Sequence, residues 1–250
     1  LLIVKTATKT NTASSGTAYR IISPTNSQNI VIGALGDGFA KTTDRGIFVS
    51  NDGGSTWIHS GLEETGIVTE LIIHPTDSQT IFVSTLGNTY EKTTERGIYK
   101  SENREGTSFK KLTGTGGNLS NVGALASNMS SGRVMAGSSN GYYYSDDEGA
   151  TWTKPSGLNG ACRDIAVASD GTVFAHFGNS AIMRSTSGSD GFETMNIPVS
   201  TGYTGNSGRM EIAIAPQDPN YVYVVVSSAS GNLNGIYGTK DKGTTWSLLA

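Results

Sequence analysis

Carboxylates at recurring positions are the first chemistry this chain offers. Asp52, Asp147 and Asp241 each stand in one eight-residue frame, Ser/Thr-x-Asp-x-Gly-x-Thr-Trp, which runs from Ser50 to Trp57, Ser145 to Trp152 and Thr239 to Trp246. A second set, Asp37, Asp44 and Glu95, lies in Gly-containing stretches between apolar runs, with Asn88 at the place corresponding to Asp37. Carboxylates work as general acid and general base where two face one another across a cleft, and Asp37, Asp44 and Glu95 are the carboxylates these stretches would offer to such chemistry. The weight of the pattern is nevertheless structural, because Asp44-Arg45 and Glu95-Arg96 repeat just before a strand as loop-ordering pairs would.

The framed aspartates invite a different reading, since equivalent carboxylates in separate repeats cannot converge on one reacting atom. Each can accept hydrogen bonds from backbone N–H groups of its own turn, while Gly54, Gly149 or Gly243 takes a positive φ. Trp57, Trp152 and Trp246 would then cover a seam between sheets. The frame is expected to be a hairpin clasp, built from Ser50, Asp52, Gly54, Thr56 and Trp57, from Ser145, Asp147, Gly149, Thr151 and Trp152, and from Asp241, Gly243, Thr245 and Trp246. Two further copies are degenerate: Ser101 to Phe109 has an extra residue and Phe for Trp, and Ser185 to Phe192 lacks the Asp at its expected place.

The elements that must position these turns repeat as well. Pro24 to Ile30 matches Pro75 to Ile81, and Lys41 to Phe48 matches Lys92 to Tyr99 at the same offset. Each unit contains four short apolar runs separated by turn residues, a period that marks the four-stranded blades of a β-propeller. Two stacked β-sandwiches would give no reason for one turn to recur. The expected fold is all-β, a β-propeller of four-stranded antiparallel blades at about 17–64, 65–115, 116–159, 160–202 and 203–250. These five blades are expected to belong to a larger ring of about seven. Leu1 to Thr6 is expected to be the outer strand of a preceding blade, with a linker to residue 16, because the fifth unit already has its own outer strand at Thr245 to Leu249.

Composition narrows the function classes. Lys and Arg number 18 against 21 Asp and Glu, a net charge of −3, and no basic cluster is dense enough to track a phosphate backbone. Nucleic acid is not an expected partner. No apolar run approaches the roughly 20 residues that span a bilayer, so membrane insertion is not expected. Cys162 is the single cysteine, which excludes a disulfide within the chain and a cysteine-rich zinc site and suggests a buried, inert thiol. His59, His74 and His176 fall in or beside strands of separate units without metal-ligand spacing, consistent with packing at strand edges. No cofactor is expected, although Asp146-Asp147-Glu148 is the one acidic run dense enough to suggest Ca²⁺. The chain begins at Leu1, as a processed, trimmed or excerpted chain would.

On the residues of the clasp, the chain resembles the Asp-box, or bacterial neuraminidase repeat, propellers. That superfamily includes sialidases, sortilin-type propellers, xyloglucan-specific glycoside hydrolases and photosystem II assembly factors. The resemblance extends over essentially the whole chain and is specific for fold rather than activity. It implies that the clasps lie on the periphery, and that a site would be built on the opposite face by loops 35–45, 86–96, 138–141, 178–181 and 227–235. For a sialidase, Tyr19 to Pro24 matches the Phe/Tyr-Arg-Ile-Pro motif only faintly, and no Glu-Arg pair with Tyr support is evident. For a xyloglucanase-like hydrolase, the paired carboxylates would be Asp37 and Asp44, with Phe39, Tyr90 and Tyr203 available to stack on sugar. The wording of the units is most similar to large secreted propeller proteins of bacteria. The expectation that follows is a non-catalytic extracellular or cell-surface scaffold or recognition module, binding protein or glycan on its loop face and joined to the remaining blades of a longer chain. A glycoside hydrolase and an assembly factor with an arginine patch are the alternatives.

Overall fold

The computed structural model describes residues 3–6, 18–22, 27–34, 45–65, 67–74, 77, 80–87, 96–101, 103, 108–113, 119, 121–128, 130–178, 181–198, 209–228 and 231–250, with strands 3–6 and 18–22 given by their backbone. Regular structure among these residues is twenty strands and one 3-10 turn, Glu63–Thr65. The strands are short runs rich in Val, Ile, Tyr and Phe, ended by Gly, Asn, Asp or Pro, the pattern that favours antiparallel pairing over helix. The chain forms two compact units, Leu1–Thr113 with Leu119–Leu125, and Gly114–Asn118 with Ala126–Ala250.

In the first unit, β1 (Ile3–Thr6), β2 (Ala18–Ile22), β3 (Ile30–Ala34), β4 (Gly46–Ser50) and β5 (Ile58–His59) form one antiparallel sheet in chain order. A second sheet follows, again in chain order, from β6 (Val68–Ile73), β7 (Ile81–Thr85), β8 (Gly97–Ser101) and β9 (Phe109–Leu112). The N-terminal strand is not placed where the sequence suggested. Instead of an outer strand of a preceding blade, β1 is a fifth strand of the first sheet, paired along β2 with Ile3 opposite Ile21 and Thr6 opposite Ala18. The physical reason is general, since the free edge of β2 carries unpaired N–H and C=O groups that any apolar strand within reach can satisfy.

The core of this unit lies between the two sheets. Val31, Ile47 and Val49 of the first meet Val68, Leu71, Ile73, Ile81, Val83 and Tyr99 of the second. Close approach depends on Gly33, where a Cβ would stand 2.6 Å from Val68 Cγ1. Gly46 opens β4 at φ 93°, with a Cβ position only 2.3 Å from the carbonyl oxygen of Gly61.

The second unit is entered along β10 (Val122–Ser127), which heads a three-stranded sheet with β11 (Val134–Ser138) and β12 (Gly141–Ser145). In place of the fourth strand expected here, Tyr144 and Thr153 form an isolated bridge. Pro155, two residues on, has no N–H to extend the ladder. The next sheet is β13 (Cys162–Val167), β14 (Val173–Phe177), β15 (Ala181–Ser185) and β16 (Glu193–Met195), and the last is β17 (Met210–Ile214), β18 (Val222–Ser227), β19 (Leu233–Thr239) and β20 (Ser247–Leu248). Phe174, Ile182 and Met195 of the fourth sheet pack on Met210, Val222, Val224, Val226 and Tyr237 of the fifth. Central strands β7, β11 and β14 are buried at every position, whereas β18 alternates buried and exposed along its first five residues. Both-face burial explains why the former read as continuous apolar runs.

Candidate functional site

The three framed turns have one geometry. Ser50 Oγ donates to Asp52 Oδ1 at 2.8 Å and accepts the Gly54 N–H at 2.8 Å. The carboxylate then accepts the Thr56 N–H at 2.8 Å on Oδ1 and the Thr56 hydroxyl at 2.6 Å on Oδ2. The same bonds tie Ser145, Asp147, Gly149 and Thr151, and they tie Thr239, Asp241, Gly243 and Thr245. Gly54, Gly149 and Gly243 hold φ values of 94°, 86° and 89°. The residue before each glycine is also left-handed, at 72° for Gly53, 56° for Glu148 and 55° for Lys242, a strained position for the two that carry side chains.

Hydrogen bonding stabilises the ionised carboxylates. Asp52 is lowered to about 2, first by the Thr56 hydroxyl and then by the Thr56 N–H and Ser50. Asp241 is lowered to about 2 by the hydroxyls of Thr239 and Thr245, and Asp147 is lowered in the same way by Thr151 and Ser145. These groups are bases already engaged. They are unsuited to receive a substrate proton near neutral pH.

In the second unit the turns also bind the sheet that precedes them. Arg133, beside β11, grips Asp146 at 2.6 and 2.9 Å and donates through Nη1 to the carbonyl of Ser187, in the turn of the next sheet, at 2.6 Å. Arg184 of β15 repeats the arrangement, holding Glu193 at 3.0 Å and donating to the Lys242 carbonyl, in the turn of the fifth sheet, at 2.7 Å. Lys242 in turn pairs with Asp170 of the fourth sheet's first hairpin. Tyr142 adds a hydroxyl bond to Gly188 O at 2.7 Å, with its ring edge-on to Phe192 at 5.1 Å. Trp152 and Trp246 donate from Nε1 to Gly149 O and Gly243 O at 3.1 and 3.0 Å. Trp152 is 2% exposed, while Trp57 of the first sheet is 39% exposed.

The degenerate copies keep the serine and change its partners. Ser185 Oγ donates to Asp190 O at 2.5 Å and accepts the Gly188 N–H at 2.9 Å, while Ser187 takes the place of the aspartate and donates to Asp190 Oδ1 at 2.8 Å. Ser101 Oγ accepts the N–H of Ile81 at 2.9 Å. Of the acidic run proposed for Ca²⁺, Asp146 is held by Arg133 and Asp147 by its own turn. Among the described residues no three His, Cys, Asp or Glu side chains come together as a metal site would require.

The candidate catalytic residues Asp37, Asp44 and Glu95 lie outside the described residues, as do Asn88, Phe39, Tyr90 and Tyr203. Their neighbours are described. Arg45 is buried, and its carbonyl oxygen lies 2.8 Å from His59 Nε2. Arg96 Nη1 donates to Asn121 Oδ1 at 3.1 Å. His74 is buried and accepts the Asp77 N–H on Nδ1 at 3.2 Å. Cys162 is a buried free thiol, and burial pushes its ionisation well above the ordinary thiol range.

Sequence reasoning missed one polar centre on the fourth sheet. His176 is not at a strand edge but on the interior strand β14, with no exposure, and neither ring nitrogen completes a hydrogen bond although the backbone of Met210 lies alongside. Burial, followed by the nearby charge of Arg163, lowers its pKa to about 4. Beside it, Asp164 accepts the Ile165 N–H at 3.0 Å and the Ile212 N–H, across the seam to the fifth sheet, at 2.7 Å. Arg163 sits in the register shift between Cys162 and Asp164, and the same shift occurs between Val68 and Glu70. A signal existed: three residues after the strand position paired with the clasp, the other sheets place Gly33, Ser84, Gly137 and Val225 where the fourth places His176.

No family model matches the chain, and no curated protein matches it. Solved structures do. The chain superposes on the GH74 enzyme of Niastella koreensis with a TM-score of 0.72 at 17% identity, covering 92% of this chain and 37% of that one. The GH74 xyloglucanase of Xanthomonas campestris gives 0.70 at 17% identity, with 92% and 38% covered. The extracellular domain of the putative hybrid two-component system BT4673 from B. thetaiotaomicron gives 0.57 at 14% identity, with 92% and 32% covered. The chain thus spans little more than a third of the length of the GH74 structures it matches. What they share with it is the fold, and the all-β chain of antiparallel sheets is part of a β-propeller.

Proposed function

We propose that this chain is a non-catalytic, extracellular propeller module of a larger bacterial protein, a scaffold that presents its loop face to a protein or glycan. The observation that carries this reading is the engagement of the repeated polar chemistry. The carboxylates of all three framed turns are tied by hydroxyl and N–H donors at 2.6 to 2.8 Å, in the arrangement expected of an Asp-box. Arg133 and Arg184 are likewise occupied in joining sheets. Support for an extracellular setting comes from the fold likeness to the extracellular domain of BT4673, and support for a binding role from the likeness to YCF48 bound to a D1 peptide, at a TM-score of 0.55 and 16% identity.

A second reading is favoured by the TM-scores of the two GH74 structures, 0.72 and 0.70. On that reading Asp37 and Asp44 would be the acid–base pair, with Glu95 the counterpart of Asp44 in the next unit. One experiment separates the two. The protein is incubated with xyloglucan and mixed-linkage glucan, and both retention on the polymer and release of reducing ends are measured. The module reading expects no release. Release that is abolished by Asp37→Asn or Asp44→Asn establishes the hydrolase and removes the first reading.

A further inference from the structure

Asp164 and His176 stand opposite one another in the β13–β14 ladder, on the face that carries Phe174 and Ile182 and that the fifth sheet covers. Side chains at directly opposed positions of an antiparallel pair lie about 5 Å apart at Cβ. Asp164 is nevertheless turned across the seam, where its Oδ2 accepts the Ile212 N–H at 2.7 Å and fastens β17 to β13. The pair lies one residue from the end of β14, at the end of the sheet remote from the turn that Ser185 opens opposite Val173.

His176 has no exposure, and neither ring nitrogen completes a hydrogen bond. Neutral, the imidazole leaves a donor and an acceptor unpaired; protonated, it becomes a buried charge that must find a carboxylate. Among the described residues, the charged groups about the ring are Arg163 and Asp164 from β13 and Arg209 and Glu211 at the start of β17. The side chains packed on this face from β15, β16, β18 and β19 are Ile182, Met195, Val222, Val224, Val226 and Tyr237, of which only the Tyr237 phenol can titrate. Glu211 is taken by Arg209 at 2.6 Å, whereas Asp164 stands directly opposite the ring. The corresponding place in the second sheet has no imidazole. Ser84 there bonds the Thr69 hydroxyl at 2.8 Å, and Thr69 donates to Val122 O of β10 at 2.8 Å. Hydroxyls of this kind keep their bonds at mildly acid pH.

We propose that Asp164 and His176 form an acid-released latch. On protonation the imidazolium takes the Asp164 carboxylate, Ile212 loses its acceptor, and β17 parts from β13 at this end of the seam while each sheet stays folded. The two states differ in one exchange of partners: Asp164 bonds across the seam to Ile212 when the ring is neutral, and within its own sheet to His176 when the ring is charged. Burial and then Arg163 hold protonation off in the closed seam, at a pKa of about 4 against 6.5 for the ordinary imidazole. A ring that regains the ordinary value on opening shifts the opened population by about seventyfold between pH 7.5 and 4.5. The latch needs no ligand, and it stands whether or not the loop face binds a partner.

The test follows hydrogen exchange of the Ile212 amide by NMR on the whole chain, divided at each pH by the rate of an unstructured amide. Between pH 7.5 and 4.5 the ratio should rise by about seventyfold, while the amides of Ala213 and Tyr223, opposite one another in the β17–β18 ladder, keep their protection. In His176→Gln and in Asp164→Asn the Ile212 ratio should stay flat across the same range. Protection of Ile212 that does not change with pH in the unsubstituted chain overturns the proposal. So does exchange that rises equally at Ala213 and Tyr223, which is unfolding of the sheet rather than release of the seam. A full rise that survives Asp164→Asn overturns it as well, since the carboxylate would then take no part. The unsubstituted chain decides the matter even where a variant does not fold, because its own two pH values carry the comparison.

Discussion

The Thr56 hydroxyl meets Asp52 Oδ2 at 2.6 Å, and Thr151 with Asp147 and Thr245 with Asp241 repeat the contact at the same distance. A carboxylate held this way binds its proton less readily in the folded than in the unfolded chain. With Asp52 and Asp241 lowered from 3.8 to about 2, their contribution to stability is complete above about pH 3.8 and declines as the pH falls through 2. Replacing Thr245 by Val should return Asp241 toward the ordinary carboxylate value and shift acid unfolding to higher pH. Titration of the Asp241 carboxyl by NMR checks this, and an unshifted titration would remove the threonine from the account.

Left-handed backbone before the clasp glycine gives a prediction of opposite sign. Gly53 meets φ 72° without strain, but Glu148 is held at 56°. Glu148→Gly removes a Cβ from that conformation while loosening the unfolded chain, and the balance should stabilise by about 0.5–1 kcal/mol. Denaturant unfolding at constant slope would show it as a higher midpoint. Gly46→Ala should act in the other direction, because the new Cβ meets the Gly61 carbonyl, a backbone atom at 2.3 Å that cannot turn aside. A loss above about 2 kcal/mol is expected there.

What could be read from the residues followed the range of the interactions. The clasps were legible because each closes within six residues of its first serine or threonine, so the types of Ser50, Asp52, Gly54 and Thr56 already state the bonds. The units were legible because the turn recurs after each apolar run. The bonds of Arg133 to Ser187 and Tyr142 to Gly188 were not, since they span 54 and 46 residues and depend on how one sheet lies on the next. The pairing of Ile3–Thr6 with β2 was missed for a related reason, because an apolar strand carries no mark of which free edge it will take. His176 was open to inference from the aligned sheets, where Gly33, Ser84 and Gly137 indicate a crowded position.

The arginine latches predict coupling between neighbouring sheets. Arg133 Nη1 is 2.6 Å from the Ser187 carbonyl, and its pKa is raised by the bond to Asp146, so the donor is always charged. A hydrogen bond from a charged donor contributes about 1.5–3 kcal/mol when lost from a partly buried site. Arg133→Ala should therefore lower stability by about that much and speed amide exchange at Gly188 and Ser189. Asp146→Asn, which weakens only the exposed side of the guanidinium, should cost less than about 1 kcal/mol. Equal losses from the two substitutions would show that the ion pair, rather than the bond across the seam, does the holding.

His176 predicts a weakness at mildly acid pH. Its imidazole is neutral in the fold and must lose buried, unpartnered surroundings to take up a proton, which is why its pKa falls from 6.5 to about 4. The folded pKa of a base lies below its unfolded value here, so the unfolded chain binds the proton more readily. Stability is then complete above about pH 6.5, declines as the pH falls from there, and levels off below about 4. Arg163 and Arg209 oppose protonation and Glu211 favours it, so the decline also depends on those charges. The shift corresponds to about 3 kcal/mol between the two plateaus. His176→Ser, which places at this position the residue found as Ser84 in the second sheet, should abolish the decline between pH 6.5 and 4 while leaving the clasp-dependent acid limb below it. Unfolding midpoints measured from pH 4 to 7.5 on the two proteins decide the matter, and parallel curves would show that the ring is not the titrating group.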